Sequence, residues 1–243
     1  MDDDLAAVRR ARMRWNTPLS AGHLDLLLDR LDLAGAGRVA ELGCGWGELL
    51  MRAVERTDAA AGVGVDNDPV VLERGRAEAR RRGLGERVEL IEADAADWAG
   101  TADRALCVGS AHALGGTRAA LAALASVVPH DGRLLYGDGC WPGPPTAAAR
   151  AIFGDEILPL PDLVDAARAA GWRVLHLSTA DQREWDDFES TSRAGLTEWL
   201  LANGADPRAE EIRGRLDERE RQYVRDYRGV LGFAYLVLGR EAG

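Results

Sequence analysis

Residues 41–47 read Glu-Leu-Gly-Cys-Gly-Trp-Gly, with Gly43, Gly45 and Gly47 at alternate positions. Such spacing lets a backbone turn sharply and approach a ligand with no Cβ in the way. A helix starting there would point its free N–H groups at the same space. A dinucleotide fingerprint needs a third glycine where this chain has Glu48, and Glu41 precedes the first glycine. Two carboxylates at that place would repel a pyrophosphate and are tolerable beside a cationic ligand that carries no phosphate. Asp66 and Asp94 stand after two further apolar runs. A carboxylate accepts two charge-assisted hydrogen bonds at once.

Proton transfer has two candidates. His112 follows the run Cys107-Val108-Gly109-Ser110-Ala111, and imidazole titrates near neutral pH. Asp138, in Tyr136-Gly137-Asp138-Gly139-Cys140-Trp141, offers a base or an anchor for a cationic amine, with Trp141 as a pocket wall. His130 reads as a surface residue and His176 as a satisfied core histidine. Cys44, Cys107 and Cys140 form no CxxC pair, which argues for reduced thiols and against a zinc site; no metal is expected.

These residues need a scaffold, and the hydrophobic pattern supplies one. Short strands are expected at 38–42, 61–65, 88–92, 105–109, 132–136, 173–177 and 231–238. Helices are expected at 2–15, 20–33, 47–57, 68–82, 117–128 and 161–170. Ser20 and Asp68 suit helix N-caps, and Pro69 the first helical position. Strands alternating with helices of this length mean βαβ units and a parallel sheet. Such folds bind ligands beyond the carboxyl ends of their strands. Residues 181–229 break the alternation: they are polar, with Ile212, Leu216, Tyr223 and Tyr227 at helical spacing.

Over residues 36–140 the chain resembles the class I S-adenosylmethionine-dependent methyltransferases. Their acid-x-Gly-x-Gly-x-Gly pattern is met by Glu41, Gly43, Gly45 and Gly47, with Cys44 a small residue of the loop. The resemblance implies a doubly wound, mostly parallel seven-stranded α/β sheet whose seventh strand is antiparallel, with helical cap elements. It implies S-adenosylmethionine as cofactor, with Asp66 and Asn67 beside the ribose, Asp94 and Ala95 at the adenine, and Gly109 and Ser110 at the methionine end. The division that follows is an N-terminal helical cap (1–35), a cofactor-binding core (36–180), a helical insertion forming a lid (181–229) and a final strand (230–243). An antiparallel last strand puts both ends of the insertion at the cofactor face, which makes Trp185, Asp186, Phe188, Glu189, Trp199, Tyr223 and Tyr227 candidates for acceptor contact. Residues 15–20, beginning with Trp15, form a second expected lid. If the insertion lay at the other end of the sheet, its aromatic stripe would serve a homodimer instead.

The expected function is methyl transfer to a small molecule through oxygen, nitrogen or carbon, with His112 at the acceptor and a setting in specialised metabolism. A net charge of −10 and the lack of an Asn/Asp-Pro-Pro-aromatic motif after the fourth strand argue against nucleic acid. No apolar run is long enough to span a bilayer and the chain opens with Asp2-Asp3-Asp4, so a cytoplasmic protein without a membrane partner is expected. All thirty basic residues are arginine, which together with abundant alanine and glycine reads as the codon usage of a GC-rich bacterium. The rival classes are a non-catalytic protein that binds the same cofactor or a partner, and an NAD-dependent oxidoreductase, which Glu41 and Glu48 disfavour.

Overall fold

The computed structural model describes residues 3–57 and 60–240. Among them seven strands form one sheet in the order β3-β2-β1-β4-β5-β7-β6. These are β1 (Arg38–Leu42), β2 (Ala61–Asp66), β3 (Val88–Glu92), β4 (Arg104–Val108), β5 (Arg133–Cys140), β6 (Trp172–Thr179) and β7 (Gly232–Arg240). β1 to β5 pair in parallel, and β7 runs antiparallel between β5 and β6. The strand order reverses between β1 and β4, which opens a crevice beyond their carboxyl ends.

One face of the sheet is covered by α2 (Ala21–Leu31), α3 (Glu48–Glu55) and α4 (Pro69–Arg81), the other by α5 (Thr117–Val127) and α7 (Leu160–Ala169). The sequence explains the seating of α2. Ser20 caps it by accepting from His23 N, and Leu24, Leu27, Leu28 and Leu31 are buried on one stripe. Each such side chain contributes about 1.5–3 kcal/mol by leaving water. The two faces of β7 divide cleanly: Phe233, Tyr235 and Val237 join the α2 side, Ala234, Leu236 and Leu238 the α5 side.

Two expectations need correcting. The first helix, α1 (Asp3–Arg10), stops at Arg10 instead of reaching Trp15, and Asp2 lies outside the described residues. The Arg10 carbonyl, which a continued helix would give to Arg14 N, accepts from Met13 N and Arg74 instead, and beyond it the Met13 and Arg14 carbonyls accept from Arg74 and the Trp46 indole. A short helix not expected, α6 (Ala147–Phe153), follows Pro145, capped by Thr146 accepting from Ala149 N.

The insertion is two helices, α8 (Gln182–Ala202) and α9 (Ala209–Gln222), then a π turn at Tyr223–Tyr227. α8 begins with a capping box between Asp181 and Glu184. Its Gly195 lets α1 pack closely: a Cβ there would lie 2.0 Å from the Val8 carbonyl oxygen. β6 ends and β7 begins at the crevice end of the sheet, so both ends of the insertion lie there.

Candidate functional site

A cavity of about 370 Å³ fills the crevice. Its floor is the glycine loop, bent by Gly43, Gly45 and Gly47 at φ +71°, +53° and +70°. The loop is pinned from two sides. Gly43 N and Cys44 N donate to the Val65 carbonyl at 2.8 and 3.0 Å, and Gly45 N donates to Asp66 Oδ2 at 2.7 Å. Gly43 is required by packing, since a Cβ there would lie 2.3 Å from that of Ser110. Gly45 is different: a Cβ there meets no protein atom within 4 Å, and Gly45 lines the cavity, so a side chain would occupy ligand space.

Acids and amides at the strand ends make the walls. Asp66, at the end of β2, also accepts from Asp68 N at 3.0 Å, and its two oxygens keep further acceptor capacity. Asn67 is exposed at the rim, and Asp94 caps a turn by accepting from Ala96 N at 2.9 Å. Ala95, Gly109, Ser110 and His112 complete the wall beside β3 and β4. Ser110 donates to the Leu42 carbonyl at 2.6 Å, which locks the ends of β1 and β4 together. His112 is exposed.

Residues 10–17 cross above as a roof. Arg10 pairs with Asp68 at 3.1 Å and both line the cavity. The Arg74 guanidinium lies 4.1 Å from the Trp46 ring centroid and donates to the Arg10 and Met13 carbonyls at 2.9 and 2.8 Å. The Trp46 indole donates to the Arg14 carbonyl at 2.7 Å. A second cavity, of about 320 Å³, lies between this segment and α8; Trp15 and Thr17 line both.

The charges in the loop are not those expected. Burial pushes the Glu41 carboxyl up to about 8, against the opposing hydrogen bond from Leu50 N, with Asp66 and Glu48 adding repulsion. Glu48 is paired with Arg52 at 2.7 Å and with Arg82. Burial thus favours the neutral form of Glu41 and arginines compensate Glu48, so the pair repels a pyrophosphate less than two free carboxylates would. Cys44 is buried, and burial raises its thiol well above the ordinary range.

Residues 39–132 match a family described as a methyltransferase domain. YjhP of Escherichia coli (strain K12) is 31% identical over 208 residues, covering 83% of this chain and 84% of that protein. A methyltransferase from Geobacter sulfurreducens, solved with S-adenosyl-L-homocysteine, superposes with a TM-score of 0.88 at 28% identity, over 99% of both chains. One from Thiobacillus denitrificans, solved with the same compound, gives 0.87 at 29% identity, over 99% of this chain and 100% of that one. The chain belongs to the S-adenosylmethionine-dependent methyltransferases.

In this methyltransferase the residues expected at the cofactor, Glu41, Gly43, Cys44, Gly45, Asp66, Asn67, Asp94, Ala95, Gly109 and Ser110, converge on the first cavity, as do His112 and Trp15. Gly47 sits one step below, packed over Leu90. Asp138 does not line it. Its carboxylate accepts from Thr117 Oγ1, Tyr136 Oη and Gly139 N at 2.9, 3.0 and 2.8 Å, which fastens the start of α5 to β5. Trp141 is 3% exposed and packs edge-on against Phe153, away from both cavities. Trp185 is core, with no partner for its indole N–H among the described residues. Tyr223 donates to Asp186 at 2.6 Å and Tyr227 to the fully buried Glu189 at 2.8 Å. The aromatic stripe is therefore spent inside the chain, on core packing. His176 is half-buried, and its Nε2 lacks a partner among the described residues. Its pKa is lowered by burial, then by Arg30 and His23.

Sequence reasoning named Asn16 and Thr17 only within the 15–20 segment and missed Arg10 as a wall residue, and Phe188 was the one insertion aromatic it named that reaches either cavity.

Proposed function

We propose that this methyltransferase acts on a small-molecule acceptor. The roof carries the reading: residues 10–17, fastened through Arg10–Asp68, Arg74 and Trp46, cover the crevice and leave spaces of small-molecule size. In this reading Asp66 accepts from the ribose hydroxyls, Asp94 and the Ala95 N–H meet the adenine, and Gly109 and Ser110 flank the methionine part. Glu41 faces that part's positive charge. The open cradle at Gly45 and the acceptor-only carboxylates of Asp66 and Asp94 fit such a ligand. When bound, S-adenosylmethionine supplies an electrophilic methyl group.

The protein's own part is placement and exclusion of water, with His112 positioned to take a proton from the acceptor. The division into cap, core, lid and last strand is part of the proposal. Glu184, Asp187, Phe188 and Thr191 of α8 line the second cavity, which supports the lid role of 181–229. No described helix is long and apolar enough to cross a membrane. The buried free thiols of Cys44, Cys107 and Cys140 suit a reducing, cytoplasmic compartment.

Calorimetry with S-adenosylhomocysteine and NAD tests the cofactor roles. The first should bind and the second should not. Asp66→Ala should weaken binding by about 1.5–3 kcal/mol per lost charge-assisted bond; unchanged affinity would leave Asp66 as a loop support alone. Binding with no methyl transfer to any small molecule would favour a non-catalytic role.

A further inference from the structure

We propose that the second cavity is the acceptor subsite and that Thr17 orients an amine nitrogen there. This rests on the methyl-transfer reading and names its substrate class. The two cavities meet at Trp15 and Thr17. Nearby, the Asn16 carbonyl oxygen lies 3.8 Å from where a Cβ on Gly109 would be, at the end of β4. With the first cavity assigned to the cofactor, the second is the adjoining space for an acceptor.

The hydrogen bonds at the junction fix what Thr17 can do. Tyr235 Oη has one proton and lies 2.8 Å from the Pro18 carbonyl oxygen, which only accepts. That proton goes to Pro18. Thr17 Oγ1, 3.1 Å from Tyr235 Oη, must then donate its own proton to the phenol oxygen. Burial keeps Tyr235 from ionising, so this direction holds across ordinary pH. Thr17, 4% exposed, is left with lone pairs only. Its partner must be a donor.

This separates nucleophile classes. An oxygen nucleophile that has lost its proton has none to give Thr17 and would set lone pair against lone pair. A carbon nucleophile has no polar N–H or O–H. A primary or secondary amine, deprotonated to its reactive neutral form, keeps an N–H for Thr17 and a lone pair for reaction. The chain of bonds ends at a carbonyl, so Thr17 positions and does not deprotonate.

The rest of the cavity fits an amine on an apolar body. Trp15, Met13 and Phe188 supply apolar wall. Arg12 is paired with Glu198, and Arg14 lies against the Trp15 ring. The Asp187 carboxylate lines the cavity, is exposed, and has no hydrogen bond or ion pair among the described residues, so it can draw an ammonium in before its proton passes to His112.

The test uses the full chain saturated with S-adenosylhomocysteine, with 2-phenylethylamine and its shape-matched alcohol 2-phenylethanol as probes in ligand-observed NMR at pH 7 and pH 9. The amine should bind; the alcohol keeps an O–H for Thr17 at both pH values but carries no positive charge for Asp187, and should bind more weakly. Thr17→Val should weaken the amine roughly five- to tenfold, the worth of one hydrogen bond, and Thr17→Ser should restore it. Thr191→Trp should fill the cavity and abolish amine binding with cofactor affinity unchanged; Asp187→Asn, on an exposed position, gives a second arm and should weaken the amine at both pH values, since an alkylammonium keeps its proton to about pH 10, while leaving the alcohol unchanged. Failure of the wild type to bind S-adenosylhomocysteine by calorimetry would sink the methyl-transfer reading itself. Cofactor binding with neither probe bound, with the alcohol bound as well as the amine, or with amine affinity indifferent to Thr17→Val and to both cavity variants would overturn the amine proposal.

Discussion

Replacing Glu41 by glutamine should change how stability depends on pH. Glu41 is 3% exposed, accepts from Leu50 N at 3.0 Å, and has a carboxyl raised from 4.5 to about 8 by burial. Below pH 4.5 it is protonated in both folded and unfolded chains and contributes nothing to the pH dependence. As pH rises further, the unfolded chain ionises and the folded one does not. Stability is therefore lost between about 4.5 and about 8, and the loss is complete above that. Each pH unit of the gap is worth about 1.4 kcal/mol, so the whole window corresponds to roughly 5 kcal/mol as an upper figure.

Glutamine keeps an oxygen for Leu50 N and has no proton to lose. Denaturant unfolding at pH 5 should give wild type and Glu41→Gln within about 1 kcal/mol of each other, and at pH 8 the variant should be more stable by about 2–5 kcal/mol. A cationic ligand beside Glu41 should pull its pKa down. Calorimetry at pH 7 in buffers of different ionisation heat should show proton release on S-adenosylhomocysteine binding by the wild type and none by the variant. Parallel stability curves, with the same proton count for both proteins, would refute the reasoning.

His112→Ala should lower turnover by roughly 10²–10⁴ with little change in cofactor affinity, as expected of a general base; normal turnover across pH would remove that role. Gly195→Val should separate α1 from α8, because the Cβ position lies 2.0 Å from the Val8 oxygen; hydrogen exchange should then show residues 11–17 less protected, and S-adenosylhomocysteine should bind more weakly. Burial alone would raise the Glu184 carboxyl, but bonds from His23, Ser20 and the Asp181 N–H outweigh it and hold it at about 2. Its stabilisation is present above the unfolded value of 4.5 and is lost as pH falls toward 2, so Glu184→Gln should lower Tm at pH 6 and match the wild type near pH 2.

The cofactor half of the site was legible because its chemistry is local. Gly43, Gly45, Asp66, Asp94 and His112 each sit where a strand ends, and the alternation of apolar runs marks those ends without knowledge of packing. The acceptor half was not. Helical period told which face of α9 and the following turn is apolar, but not that Tyr223 and Tyr227 would find acids of α8 and the core instead of a substrate. Asp138 likewise looked free until Thr117 and Tyr136 were placed beside it. The end of the first helix was hidden for a related reason: the Arg10 carbonyl, which a continued helix would use, is taken by Arg74, 64 residues away, and the carbonyls of Met13 and Arg14 are held by Arg74 and Trp46.

The loop acids show how a correct ligand class can rest on an incomplete physical account. Taken as two negative charges, Glu41 and Glu48 seemed to exclude a pyrophosphate by repulsion. In the fold Glu48 is held by Arg52 and Arg82, and burial raises the Glu41 carboxyl to about 8, which favours its neutral form. What remains to select the ligand is hydrogen-bond polarity and space. Asp66 and Asp94, at the ends of two neighbouring strands, can only accept, so they call for a ligand with donors at both places. Gly45 opens the floor between them, while Arg10 and Asp68 neutralise each other at the rim. Glu41 adds a conditional charge: uncharged while the cavity holds no cation, it can ionise when a positive group arrives. The resting fold is thus spared most of the cost of a buried carboxylate, and the binding free energy of the cationic ligand must supply it.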